Sequence, residues 1–339
     1  MKQKVVTFGE VMLQLGSPGF ARFSQALSFD AVYGGGEANV AVSLVHLGLE
    51  AEHVTRFPAN DLGYSAAQSL RQYGVGIGNI QYGGRRLGLY FLENGAINRS
   101  SKIIYDRDDS AFAQIEPGMI EWERVLEGAS WFHWTGITPA LSAGAAAACK
   151  EAVEAANRLG LTVSSDVNAR KNLWQYGKSP AEVMPELVEG CQVIMASPHD
   201  AAELFGIRPE EHLTGEEAEA SVYRQLMERF PRLQLITNTR RGSVSASHNT
   251  LSAVMWNGER LLTTKTHDLF PIVARLGGGD AFFAGLIYGL LAYSDHQKAL
   301  EFAVAASVLK HSIEGDANLA TVEEVKALER GESGGQIRR

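Results

Sequence analysis

At 339 residues, 45% of them hydrophobic and 21% charged, the chain can bury a large core, either as one α/β domain with an insert or as two domains. A net charge of −8 excludes a general attraction to nucleic acid or to an anionic membrane, so an anionic ligand needs a local basic cluster. The two cysteines, Cys149 and Cys191, lack metal-binding spacing and fit a reducing compartment. The N-terminus reads as a strand rather than a signal peptide, no apolar run is long enough to span a bilayer, and a cytoplasmic protein is expected.

Taken in order, residues 5–8 read as a short buried strand that ends at Gly9-Glu10. Residues 13–33 are too scattered in their apolar spacing for a helix and suggest irregular structure with short strands. Gly34-Gly35-Gly36-Glu37-Ala38-Asn39 then opens an apolar helix that Gly48 stops. Glycines at that mouth permit close approach of a ligand, or simply join a loop to a helix. Residues 51–57 read as a strand, and a helix follows from Asp61 to near Gly74. Between Gly83 and Ala111, short runs (Leu87, Leu89, Phe91; then Ile103, Ile104, Tyr105) flank the turn Glu93-Asn94-Gly95 and predict antiparallel strands. Together with 13–33 they would form a small sheet beside the main domain, carrying Tyr90, Tyr105, Asp106 and Arg107. Arg107 has two readings, a surface cation over aromatic rings or a clamp for a carboxylate.

From about residue 115 strands and helices alternate. Strands are expected at 129–134, 161–165, 192–196 and 233–237, with an alanine-rich helix at 145–159. Repeated βα units imply a mainly parallel sheet with helices on both faces, and such sheets bind ligands at the carboxyl ends of their strands. Thr135, Asp166, Asn168, Arg170, Ser197 and Thr237 all fall at those ends. The chain is organised around Leu276-Gly277-Gly278-Gly279-Asp280, three glycines that run into a long apolar helix. A helix start has N–H groups without intrahelical partners, and with the helix dipole these attract phosphate. Asp280 is then either a helix cap or a base set beside a phosphate cradle. Residues 331–339 are expected to be a loosely ordered tail.

These parts resemble the ribokinase-like (PfkB) carbohydrate kinases over nearly the whole chain. Gly34-Gly35-x-x-x-Asn39 is similar to the sugar-binding signature of that family, and Gly277-Gly278-Gly279-Asp280 to its Gly-x-Gly-Asp signature. The likeness sharpens toward the family's 2-keto-3-deoxygluconate kinases through five stretches. They are residues 86–91, Tyr105-Asp106-Arg107-x-x-Ser110-Ala111, residues 135–141, Asp166-x-Asn168-x-Arg170-x-x-Leu173-Trp174 and residues 245–250.

The resemblance implies a three-layer α/β/α fold with a mostly parallel central sheet, forming a single kinase domain over 1–339. A small β-sheet lid would come from about 13–33 and 85–111. It places the sugar acid against Gly34, Gly35, Asn39, Tyr90, Tyr105, Arg107, Arg170 and the base Asp280. The nucleotide would lie by Asn168, Arg170, Thr237, Arg240 and Gly242, with Gly277, Gly278 and Gly279 as the anion hole. ATP and Mg²⁺ follow, since magnesium neutralises phosphate charge; no residue is assigned to the metal. A homodimer through the lid is a further implication. Departures from the pattern are Ala274 where the family has Asp, Ser197-x-x-Asp200 where it has Asn-x-x-Glu, and Glu314 and Ala317 where it has Pro and Phe. They leave two alternatives open: a kinase for another sugar (fructose or a deoxyketogluconate isomer), or a sugar-acid binding protein with impaired turnover.

Overall fold

The fold is seen in a computed structural model that describes residues 3–332; the expected tail lies outside the described residues from 333 onward. The central sheet has nine strands among the described residues. Lys4–Phe8 lies in parallel between Glu50–Val54 and Trp131–Thr135, and the parallel run continues through Thr162–Asp166, Val193–Met195 and Leu235–Ser245. Beyond it His248–Trp256 pairs antiparallel with Leu235–Ser245, and Leu261–Thr263 and His267–Leu269 pair antiparallel with His248–Trp256.

Alternation along each parallel strand sends side chains into both helical layers. Val6, Phe8, Phe132 and Trp134 pack on one face with the helices Ala143–Arg158, Pro180–Val188, Pro198–Phe205 and Gly215–Arg229. Val5 and Trp131 pack on the other with Gly36–His46, Asp61–Gln72, Gly278–Ala292 and His296–Lys310. The arrangement is the expected three-layer α/β/α fold. Gly285 and Gly289 lie against Ala303 and Ala299, and small residues on both sides let the last two of these helices approach closely.

A separate four-stranded sheet has the order Asp30–Gly34, Met12–Gly16, Leu89–Glu93, Lys102–Asp106. The pair formed by Leu89–Glu93 and Lys102–Asp106 is antiparallel as expected, with Tyr90 directly opposite Tyr105. Met12–Gly16 and Leu89–Glu93 run parallel, because the whole Gly36–His46 to Gln81–Tyr82 stretch intervenes and brings the chain back in the same direction.

Two boundaries differ from the sequence reading. Residues 51–57 break after Val54, and Arg56–Phe57 pairs instead with Gln81–Tyr82. The strand expected at 233–237 runs on to Ser245 as one arm of a long hairpin, although Asn238 to Arg241 is polar. Hydrogen bonding to His248–Trp256 carries it through that polar stretch.

Candidate active site

The carboxyl ends of the parallel strands and the inner face of the small sheet enclose a cavity of about 1340 Å³. That exceeds the roughly 300–1,000 Å³ typical of one small ligand, and leaves room for two substrates. Its wall includes Gly34, Gly35, Asn39, Tyr90, Tyr105, Arg107, Asn168, Arg170 and Gly277 to Asp280, so residues far apart in sequence meet there.

The cradle is built by the start of helix Gly278–Ala292. Its N-cap is Gly277, at φ 78°, and a Cβ there would sit 1.7 Å from the Asp316 carbonyl oxygen. Both the backbone conformation and the contact require glycine. No side chain caps this helix, which removes the capping role for Asp280. Its carboxylate faces the neighbouring helix instead, where Asn39 Nδ2 donates to Asp280 Oδ2 at 2.7 Å. Burial pushes Asp280 up to about 7; the Asn39 bond opposes that shift, Asp316 and Glu37 add to it, and Lys310 opposes it. A carboxyl group poised near neutrality is suited to proton exchange with a hydroxyl.

Asp316 closes one side. It accepts a hydrogen bond from the Tyr90 hydroxyl, and burial raises its pKa above the usual carboxylate value while Tyr90 and Lys310 act against that shift. Gly34 fits under this pair: a Cβ there would lie 3.1 Å from Asp316 Oδ2 and 3.2 Å from the Tyr90 oxygen. Glu37 does not reach the cavity's centre with a free charge. It accepts from the Thr135 N–H, the Thr135 hydroxyl and the Thr138 hydroxyl, at 3.0, 2.8 and 2.7 Å. The Thr135 side chain is thereby spent on joining strand to helix.

The opposite side is basic. Arg241 and Arg275 line the cavity, and Arg241 Nη2 donates to His311 Nε2 at 3.1 Å. His311 Nδ1–H donates a hydrogen bond to the Ser307 carbonyl at 2.7 Å, which leaves Nε2 as the acceptor. Burial, with Arg241, Lys310 and Arg275 nearby, lowers His311 to about 4, so it is neutral. Thr237, Arg240 and Gly242, expected at the nucleotide, do not line this cavity. Arg240 points to the other face of its strand and pairs with Glu216 and Glu219. Gly242 shares that face, with Thr250 Oγ1 beside it. Thr237 is fully buried and donates to the Val254 carbonyl at 2.7 Å. Strand alternation instead presents Thr239 and Arg241 to the cavity.

At the end of Thr162–Asp166, Asp166 is raised to about 8 by burial and by Asp280 and Asp200, with Arg170 acting against the shift. Asn168 turns the chain there at φ 36°, and Arg170 is exposed at the rim. The guanidinium of Arg107 is not free, as a clamp alone would require. Arg107 Nε donates to Glu10 Oε2 at 2.8 Å and Nη2 donates to the same oxygen, both residues being buried. A buried guanidinium needs a countercharge before any ligand arrives. Nη1 stays outside that pair, and the guanidinium also lies 5.7 Å from the Tyr105 ring centre.

Ser197 and Asp200 form a reciprocal capping box on Pro198–Phe205, so both polar side chains serve that helix. Ala274, Glu314 and Ala317 line the cavity. Among the described residues no group of three or more His, Cys, Asp or Glu is arranged to hold a metal ion. Residues the sequence reading passed over are Glu10, Glu37, Lys310, Asp316 and Arg241. Gly315-Asp316, a second Gly-Asp pair, was the one visible signal; the others depend on tertiary pairing.

The profile of the pfkB family of carbohydrate kinases matches residues 2–321. A 2-dehydro-3-deoxygalactonokinase from Haloferax volcanii is 29% identical over 338 residues, covering 99% of this chain and 99% of that one. The structure of a 2-dehydro-3-deoxygluconokinase from Thermotoga maritima is similar with a TM-score of 0.92 and 41% identity, covering 97% of this chain and 100% of that one. A putative ribokinase II from E. coli, solved with ATP and Mg²⁺, has a TM-score of 0.78 over 97% of this chain and 99% of that one. At 19% identity it is a likeness of fold alone.

Proposed function

Because the chain belongs to the pfkB family of carbohydrate kinases, we propose that it transfers the terminal phosphoryl group of ATP to the primary hydroxyl of a sugar acid, 2-keto-3-deoxygluconate. The observation that carries this reading is the placement of Asp280. It sits in the first turn of an open, uncapped helix, is held by Asn39, and faces a cavity with basic groups on the nucleotide side.

The residues divide the work as follows. Asn39 fixes the carboxylate so that Asp280 can receive the hydroxyl proton while the hydroxyl oxygen forms its bond to phosphorus and the bond to ADP breaks. The N–H groups of Gly278 and Gly279 face the transferring group and take up its charge without reorganising. Arg241, held by neutral His311, offers a guanidinium to the nucleotide phosphates. Arg170 and the Nη1 of Arg107 meet the substrate carboxylate, which a neutral sugar lacks. Magnesium is carried largely on phosphate oxygens and water, with one or two protein carboxylates. When bound, it would neutralise phosphate charge.

The C4 epimer, 2-keto-3-deoxygalactonate, is a second reading, favoured by the Haloferax relative. A coupled ADP-release assay over both acids and fructose, with calorimetric binding in parallel, tests the assignment. Turnover with a 2-keto-3-deoxy acid supports it. Preference for fructose replaces it with a fructokinase, and binding without turnover makes the protein an impaired homologue. The small sheet acts in this account as a lid over the sugar. Leu27, Phe29 and Ile104 on that sheet and its loops are exposed, and a second copy covering them would make a dimer, to be tested by sedimentation velocity. The setting is cytoplasmic, where ATP and reduced thiols coexist; no helix among the described residues is long and apolar enough to cross a membrane.

A further inference from the structure

Lys310 is fully buried, at the C-terminal end of helix His296–Lys310. A lysine with no exposure is rare unless its charge is matched. Its Nζ donates to the Ile313 carbonyl at 3.1 Å, which uses one of the three donors of an ammonium group. Its Cε lies 3.2 Å from the position a Cβ would take on Gly277. Lys310 therefore sits directly behind the glycine cradle, on the side where the Asp316 carbonyl packs against the same glycine. It does not line the cavity and cannot touch a substrate.

We propose, on the kinase reading above, that Lys310 is a positioning residue for phosphoryl transfer: its ammonium, fixed behind Gly277, is the countercharge that keeps Asp280 ionised and able to accept the hydroxyl proton. The surroundings of Asp280 show why one is needed. Asp316 from the loop after Lys310 and Glu37 from the neighbouring helix both raise it, and Asp280 in turn raises Asp166 at the strand end and Tyr90 on the small sheet. Each of these is an acid, and Lys310 supplies the positive charge in the group. The helix dipole adds to it but is shared with the bound phosphate. Asp280 stands at about 7 with Lys310 present, and Lys310 is lowered to about 8 by burial, against the pull of Asp316 and Asp280. Without the ammonium, Asp280 would hold its proton to higher pH and be idle as a base near neutrality.

The test is Lys310→Met, which keeps an unbranched side chain of similar size and removes the charge. Asp280 is followed by carboxyl ¹³C NMR across pH in the free protein, its signal identified by its loss in Asp280→Asn. The pH dependence of kcat/KM is measured alongside. The expected result is an Asp280 midpoint raised by about one pH unit or more, with the acid limb of kcat/KM moving the same way. Turnover should fall about tenfold near pH 6.5 and return toward the parent value at pH 9. An Asp280 midpoint that stays in place, or a uniform loss of turnover at every pH, would overturn the proposal. Lys310→Gln provides the same reading if the methionine variant does not fold. The NMR midpoint needs no turnover, so a parent protein inactive on sugar acids would defeat the kinase assignment without deciding the role of Lys310.

Discussion

Arg107→Ala should cost stability as well as substrate affinity, and the stability loss can be worked from the pair it breaks. Two nitrogens of Arg107 bond to Glu10 Oε2, and the side chains are 7% and 2% exposed. An exposed pair of this kind contributes about 0–1 kcal/mol, whereas removing one partner of a buried pair costs about 3–5 kcal/mol because a charge is left behind. The second range applies here, since both partners are out of water. Urea unfolding at pH 7.5, followed by circular dichroism, should therefore show a loss of about 3–5 kcal/mol for Arg107→Ala. The double variant Glu10→Gln, Arg107→Met should recover much of it by removing both charges. Calorimetry on the folded fraction should show sugar-acid affinity reduced by roughly 1.5–3 kcal/mol through loss of Nη1, with ATP affinity little changed. A stability loss below about 1 kcal/mol would refute the reasoning by showing that water screens the pair.

Asp280 and Asp166 titrate near 7 and 8 when folded, against an ordinary value of 3.8, so the native state keeps protons that the unfolded chain has lost. Ligand-free stability should fall as pH rises from about 4 to about 8, and Asp280→Asn should melt above the parent at pH 8, with the gap closing toward pH 4 in scanning calorimetry; a constant gap contradicts this. Arg241→Ala should raise the KM for ATP about tenfold or more, the loss of one charge-assisted contact, while Arg240→Ala leaves it nearly unchanged, and the reverse ranking would restore the sequence-based assignment. Hydrogen exchange in residues 12–34 and 85–111 should slow when sugar acid and nucleotide are both saturating, as lid closure requires; identical exchange with and without ligands counts against a lid.

The site's local parts were legible because their signals are local. Gly277 to Asp280 is a turn and a helix start in one run, and Gly34 to Asn39 is another. What faces them was not. Asn39 meets Asp280 across 241 residues, Tyr90 meets Asp316 across 226, and Arg107 meets Glu10 across 97. No spacing rule reaches that far. Arg240 and Arg241 show a different limit. Their strand continues past the expected end at 237, and only with that continuation does the alternation of faces put Arg241, rather than its neighbour Arg240, on the cavity wall. Ser197 and Asp200 looked like altered ligand positions and are a helix cap, a role their three-residue spacing also encodes.

The most direct measurement is turnover of 2-keto-3-deoxygluconate by Asp280→Asn beside the parent protein, with calorimetric binding of the same acid to both. The amide keeps the shape of the carboxylate and can still bond to Asn39, but it cannot accept a proton. The account predicts binding within a few-fold of the parent and kcat lowered about 10²–10⁴-fold. Turnover near the parent value would contradict it, since the hydroxyl proton would then be leaving by another route.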